Sequence, residues 1–178
     1  MMKTTDLLEL RLRAAHEQAT LANKLLKLRR DFMAMDIPKS ISEFIQRKKA
    51  SCRKQTIMVI DDDPLACMLI TKALSKSYDV ISAHSATEGL KYYAEYAPDM
   101  LLLDIEMPHI SGHDFLKKIF SIDPSAFIVM CSSHMDADNI RASRRYGAKG
   151  FISKPFRKDE LMEYIRQIPQ NELDIAWE

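Results

Sequence analysis

The sequence has 178 residues, 47% hydrophobic and 29% charged, which suits one ordinary globular domain of about 100 to 150 residues with an appendage and leaves two full domains cramped. The net charge of +1 excludes a uniformly basic or acidic chain but hides an asymmetry, since residues 1 to 54 carry 13 Lys and Arg against 6 Asp and Glu, and the remainder 13 against 19. Cys52, Cys67 and Cys131 show no metal-ligand spacing and are odd in number, which argues against a disulfide framework and for reduced thiols in a cytoplasmic protein; no apolar run has signal-peptide or membrane-spanning length.

Residues 6 to about 35 contain neither Gly nor Pro and are rich in Leu, Ala, Lys, Arg and Glu, so they predict one long helix with Asp6 as its N-cap. Leu7, Ala14, Leu21 and Leu28 recur every seven residues, with Leu25 and Phe32 beside them and polar Arg11 and Gln18 interrupting. An adjacent seam runs through Leu8, Leu12, Ala15, Ala19, Ala22, Leu26 and Met33. Two neighbouring seams make a face wider than a simple zipper needs, which points to contact with more than one helix and to a homo-oligomer or partner-binding role. His16-Glu17 falls on the polar face as a surface pair.

Pro38 ends that helix, and Ser40-x-x-Glu43 has the capping-box pattern of a short second one, so residues 1–46 are expected to form a helical hairpin or extension. Residues 47–54, Arg-Lys-Lys-Ala-Ser-Cys-Arg-Lys, read as a basic linker. Nucleic acid is a possible partner for it, although no aromatic residues interleave with the basic ones as a stacking platform would require.

From residue 55 the period changes. Apolar runs at Thr56–Ile60, Tyr78–Ala83, Met100–Leu103, Phe127–Cys131 and Gly150–Ser153 predict five strands. Helical patterns at Pro64–Lys76, Ala86–Tyr96, His113–Phe120, Ala137–Tyr146 and Lys158–Gln167 separate and follow them. Five strands alternating with five helices specify an α/β domain with a doubly wound parallel sheet over residues 55–168. The 169–178 tail, with Trp177, is expected to be irregular.

The chemistry-bearing residues fall at strand ends. Asp61, Asp62 and Asp63 follow the first strand, Asp104 the third, Ser132 the fourth and Lys154 the fifth. Parallel strands bring such residues into one crevice at the sheet's carboxyl edge. Clustered carboxylates repel unless a cation is present, so the set suits Mg²⁺, a hard ion held by oxygen. A carboxylate there can attack phosphorus, while an ammonium and a hydroxyl neutralise the charge that develops.

On these residues the sequence resembles the receiver domain of bacterial two-component response regulators. The resemblance covers about residues 55 to 168 and rests on Val59-Ile60-Asp61-Asp62-Asp63-Pro64, Leu103-Asp104-x-x-Met107-Pro108-x-x-x-Gly112, Met130-Cys131-Ser132-Ser133, and Gly147-Ala148-x-Gly150-Phe151-x-x-Lys154-Pro155-Phe156. It implies a flavodoxin-like fold with strand order 2-1-3-4-5. It also implies a protein that carries a phosphoryl group instead of turning over a substrate, with Asp104 as acceptor from a sensor histidine kinase or phosphotransfer protein. Asp62 and Asp104 would ligate Mg²⁺ with the backbone carbonyl of Glu106, and Asp61 would act mainly through water. Ser132 and Phe151 take the family's switch positions, Ser132 replacing the commoner Thr and Ser133 the commoner Ala. Glu106 and His134 occupy positions that influence phosphate loss in the family. His109 and His113 read as loop and helix-start residues.

Two other classes compete. A haloacid-dehalogenase-like phosphohydrolase would share Asp61-x-Asp63, but it wants Gly-Thr where this chain has Pro64-Leu65, and it leaves Met107-Pro108 and Lys154-Pro155 unused. A nucleic-acid-binding protein would act through the basic N-terminal segment.

Overall fold

Freedom from Gly and Pro lets the first 31-residue helix, α1 (Thr4–Ala34), run unbroken. In the computed structural model, residues 4–51, 54–134 and 136–169 are described, the first seven of these as backbone alone. The expectations for Trp177 and the tail beyond Pro169 lie outside the described residues, as do those for the Leu7 and Leu8 side chains. Asp6 lies inside the first turn of α1, not before it. Leu12, Leu21, Leu26 and Leu28 are exposed along α1. No helix among the described residues is long and apolar enough to cross a membrane.

The chain forms two compact units, Met1–Met35 and Asp36–Glu178. This division corrects the expected hairpin, because α2 (Lys39–Lys49) belongs to the second unit. It opens one residue before Ser40, after Pro38, with no side-chain cap, so the capping box is not used. It also continues through the first three residues of the expected linker. Its Ile45 is fully buried, and the helix packs on α4 (Ala86–Tyr96) and α5 (Gly112–Ile122).

Polar contacts fix α2 there. The Lys49 ammonium lies 2.5 Å from the fully buried carboxylate of Asp123, to which Tyr93 also donates at 2.7 Å and Gln46 at 3.1 Å. Lys48 donates to the carbonyl of Glu95 and lies over the rings of Phe44 and Tyr96. Two of the basic residues offered as a surface for nucleic acid are thus engaged by their own domain.

The sheet consists of β1 (Thr56–Ile60), β2 (Asp79–Ala83), β3 (Met100–Asp104), β4 (Ile128–Ser132) and β5 (Gly150–Ser153). All neighbours are parallel, in the order β2-β1-β3-β4-β5. β1, β3 and β4 are buried along their whole length, as strands covered on both faces must be. On one face Ile57, Val59, Leu102 and Val129 pack with Cys67, Ile70 and Leu74 of α3 (Pro64–Leu74) and with Leu161 and Ile165 of α7 (Lys158–Ile165). The alternate residues Met58, Ile60, Leu101 and Leu103 are buried on the opposite face, where α4 and α5 lie. Each such side chain contributes about 1.5 to 3 kcal/mol on leaving water. The last crossover helix, α6 (Ala137–Arg145), joins β4 to β5.

Candidate functional site

Three strand ends and one helix start set the site. β1 delivers Asp61 and Asp62 to the carboxyl edge, and the next residue, Asp63, caps α3 by accepting from Leu65 N–H, with Pro64 at the first helical position. Asp63 is therefore spent on the helix. Asp61 is 1% exposed and accepts from Asp63 N–H at 3.0 Å, while Asp62 is exposed.

β3 delivers Asp104, which is 4% exposed. The loop after it folds back tightly enough for Gly112 N–H to reach the carbonyl of Ile105. A Cβ on Gly112 would lie 2.1 Å from the Asp104 carbonyl oxygen, so only glycine fits there. Ser111 caps α5, and His109 takes a left-handed backbone conformation with φ of 68°.

β5 delivers Lys154. Its backbone N–H donates to the carbonyl of Ser132 at 2.9 Å, tying the ends of β4 and β5 together. Its ammonium lies 2.6 Å from Asp61 Oδ2 and 2.8 Å from Asp104 Oδ1. The peptide bond to Pro155 is cis.

Burial pulls the Lys154 pKa down, but hydrogen bonds to Asp104 and Asp61 outweigh it and hold the group above its ordinary value. Burial raises the Asp104 carboxyl above the usual range. Lys154 opposes that rise without cancelling it, and the charges of Asp61 and Asp62 add to it.

One oxygen each from Asp61, Asp62 and Asp104 lies within 4.8 Å of the others. Three hard oxygen donors at this spacing, two buried and one open to solvent, fit a small divalent cation that keeps several waters. The thiols nearby do not compete for it. Burial pushes Cys67 up to about 11, and Cys131 is also held protonated by complete burial.

The Ser132 hydroxyl is buried and committed to its own loop. It donates to the carbonyl of His134 and accepts from His134 N–H, both at 2.9 Å. The side chain of His134 in turn meets Glu106 at 3.2 Å, bridging the loops after β3 and β4. The sequence marked both residues but gave no sign of their contact, because nothing local links positions 28 apart. Phe151 is half-buried on β5, and its backbone N–H and C=O are both held by the Tyr164 hydroxyl.

His113 lies outside this cluster. Its Nε2 is 3.0 Å from Ser143 Oγ across the seam between α5 and α6, and burial lowers its pKa. Of the expected residues, then, Asp61, Asp62, Asp104 and Lys154 converge, Ser132 stands at the adjoining strand end engaged with its loop, and Phe151 sits on the edge strand.

The profile of the response regulator receiver domain matches residues 57–166. The chemotaxis protein CheY of Bacillus subtilis (strain 168) is 34% identical over 113 residues, covering 62% of this chain and 94% of that protein. The DNA-binding response regulator MtrA of Mycolicibacterium smegmatis is 31% identical over 114 residues, 64% of this chain and 50% of MtrA. Among solved structures, a response regulator receiver domain protein from Clostridium thermocellum superposes with a TM-score of 0.61 at 31% identity, over 64% of this chain and 93% of that one.

Proposed function

We propose, for a chain that belongs to the response regulator receiver family of two-component phosphorelays, that Asp104 is the phosphoacceptor of a protein-interaction switch. The observation that carries this reading is the Lys154 ammonium held between Asp104 and Asp61 at the carboxyl edge of the sheet. A carboxylate oxygen of Asp104 attacks phosphorus in a phosphohistidine of a kinase or phosphotransfer protein. The new O–P bond forms as the donor's N–P bond breaks, and the electron pair returns to the imidazole. Lys154 neutralises charge on the phosphoryl oxygens. Held by Asp61, Asp62, Asp104 and the backbone carbonyl of Glu106, Mg²⁺ would supply the remaining positive charge.

Ser132 answers the new group by exchanging its bond to the His134 carbonyl for a phosphoryl oxygen. That exchange frees the loop before α6 and couples to Phe151 on the neighbouring strand. A groove of about 530 Å³ beside the site, lined by Leu65, Leu69, Pro155, Phe156 and Lys154, offers the donor a place to dock. Leu65 and Leu69 are exposed along its α3 side, and Lys154 lines both groove and site, so a donor helix seated there presents its histidine to Asp104. The wide apolar face of α1 serves self-association, and residues 1–35 form the module that does so.

The deciding experiment is labelling by acetyl phosphate with Mg²⁺, read as intact mass. Asp104→Asn is expected to abolish the phosphoryl adduct, and an adduct of undiminished yield in that variant overturns the assignment.

A further inference from the structure

We propose that α1 pairs with α1 of a second copy in antiparallel orientation, along the stripe Leu12, Ala15, Ala19, Ala22 and Leu26. The proposal rests on the self-association of α1 stated above and adds its geometry. The stripe alternates steps of three and four residues, the spacing of a coiled-coil seam. Leu12 is 64% and Leu26 58% exposed, an unusual state for two leucines on one helical stripe.

Two independent features select the orientation. The first is charge. Residues 4 to 18 carry 3 Asp and Glu against 2 Arg, whereas residues 19 to 34 carry 4 Lys and Arg against 1 Asp. A parallel pair sets the two positive halves side by side along their length. An antiparallel pair sets each positive half beside a negative one, and complementarity of this kind chooses register and direction.

The second is size. Leucine stands at both ends of the stripe and alanine fills its middle. In a parallel pair every layer meets its own kind, so the Ala15, Ala19 and Ala22 layers draw the helices together while the Leu12 and Leu26 layers hold them apart. In an antiparallel pair centred between residues 20 and 21, Ala15 meets Leu26 and Ala19 meets Ala22, which evens the spacing. The same register sets Leu8 level with Met33 and Leu12 level with Arg29. Leu21 and Leu28 flank the seam and are exposed, so further copies can pack beside the pair.

The test uses the full chain with Cys52→Ser, since Cys67 and Cys131 are buried. Ala15→Cys and Leu26→Cys proteins, one carrying a tag of different mass, are treated with a short bismaleimide separately and after mixing. The mixture is expected to give the mixed-mass cross-link, and neither protein alone a cross-link, because an antiparallel pair holds like positions about 16 Å apart along the axis. Cross-linking of Ala15→Cys to itself means a parallel pair and overturns the proposal. Absence of every cross-link from a protein that sediments as a dimer also overturns it. A monomer in sedimentation removes the self-association reading itself.

Discussion

At residue scale the site depends on one missing side chain. A Cβ on Gly112 would lie 2.1 Å from the Asp104 carbonyl oxygen and 2.8 Å from Ile105 Cα, both backbone atoms that cannot swing aside. Gly112→Ala is therefore expected to cost about 1 to 3 kcal/mol, the range for overpacking a closed interior, in urea unfolding. It is also expected to slow acetyl phosphate labelling, because the loop it displaces begins at Asp104. Ser132→Ala makes the opposite kind of change: one buried hydroxyl that serves two His134 backbone groups is removed, at about 1 kcal/mol. Labelling of Asp104 persists in that variant while any phosphorylation-dependent change in loop protection, read by hydrogen exchange at residues 132–134, is lost. Asp104, Lys154 and Gly112 were legible in the sequence because each stands at a fixed step from a strand end. The partner of the Ser132 hydroxyl was not, since rotation about one side-chain bond decides it.

At the scale of elements, the sequence located five strands and five helices of the α/β unit to within a few residues, since burial on both faces leaves runs that nothing else explains. It assigned α2 to the wrong neighbour. Asp123 reads as an ordinary loop acid, and its partners Lys49 and Gln46 stand 74 and 77 residues earlier, so only the folded chain reveals the pair. Removing Lys49 leaves a buried carboxylate still bonded to Tyr93, Ser125 and Gln46. Lys49→Met is expected to cost about 3 kcal/mol, the low end for breaking a buried pair. The pH dependence has a definite sign. Burial works to raise the Asp123 pKa, but Lys49, Tyr93 and Ser125 outweigh it and hold the carboxyl below its ordinary value. A group depressed in the folded state contributes its stability in full above its unfolded pKa of about 4 and loses it as pH falls through the folded value. Urea midpoints of the wild type and Asp123→Asn are accordingly expected to differ most near neutrality and to converge in acid. A gap that stays constant across that range means the carboxylate is not what holds α2.

At the scale of the whole α/β unit, one helix joins its two built features. α5 begins at Gly112, packed against the carbonyl of Asp104, and ends at Ile122, with Asp123 next in the chain. Eleven residues of helix span about 16 Å. Its core side chains Phe115, Leu116 and Ile119 are fully buried, so it moves as a rod or not at all. On the proposed function, a phosphoryl group on Asp104 would act on the loop that leads into this rod, and α2 is anchored to its far end. Beryllofluoride with Mg²⁺ is therefore expected to change amide exchange at residues 39–49 as well as at 132–134 in the wild type, and at neither in Asp104→Asn. Lys49→Met separates the two responses, since the ion pair that ties α2 to Asp123 is then lost before any phosphoryl mimic arrives and Gln46 alone bonds α2 to that carboxylate. The amides of α2 exchange fast with or without beryllofluoride while residues 132–134 still respond. A response confined to 132–134 in the wild type would mean that α5 transmits nothing, and that α2 is a static brace on the foot of the domain.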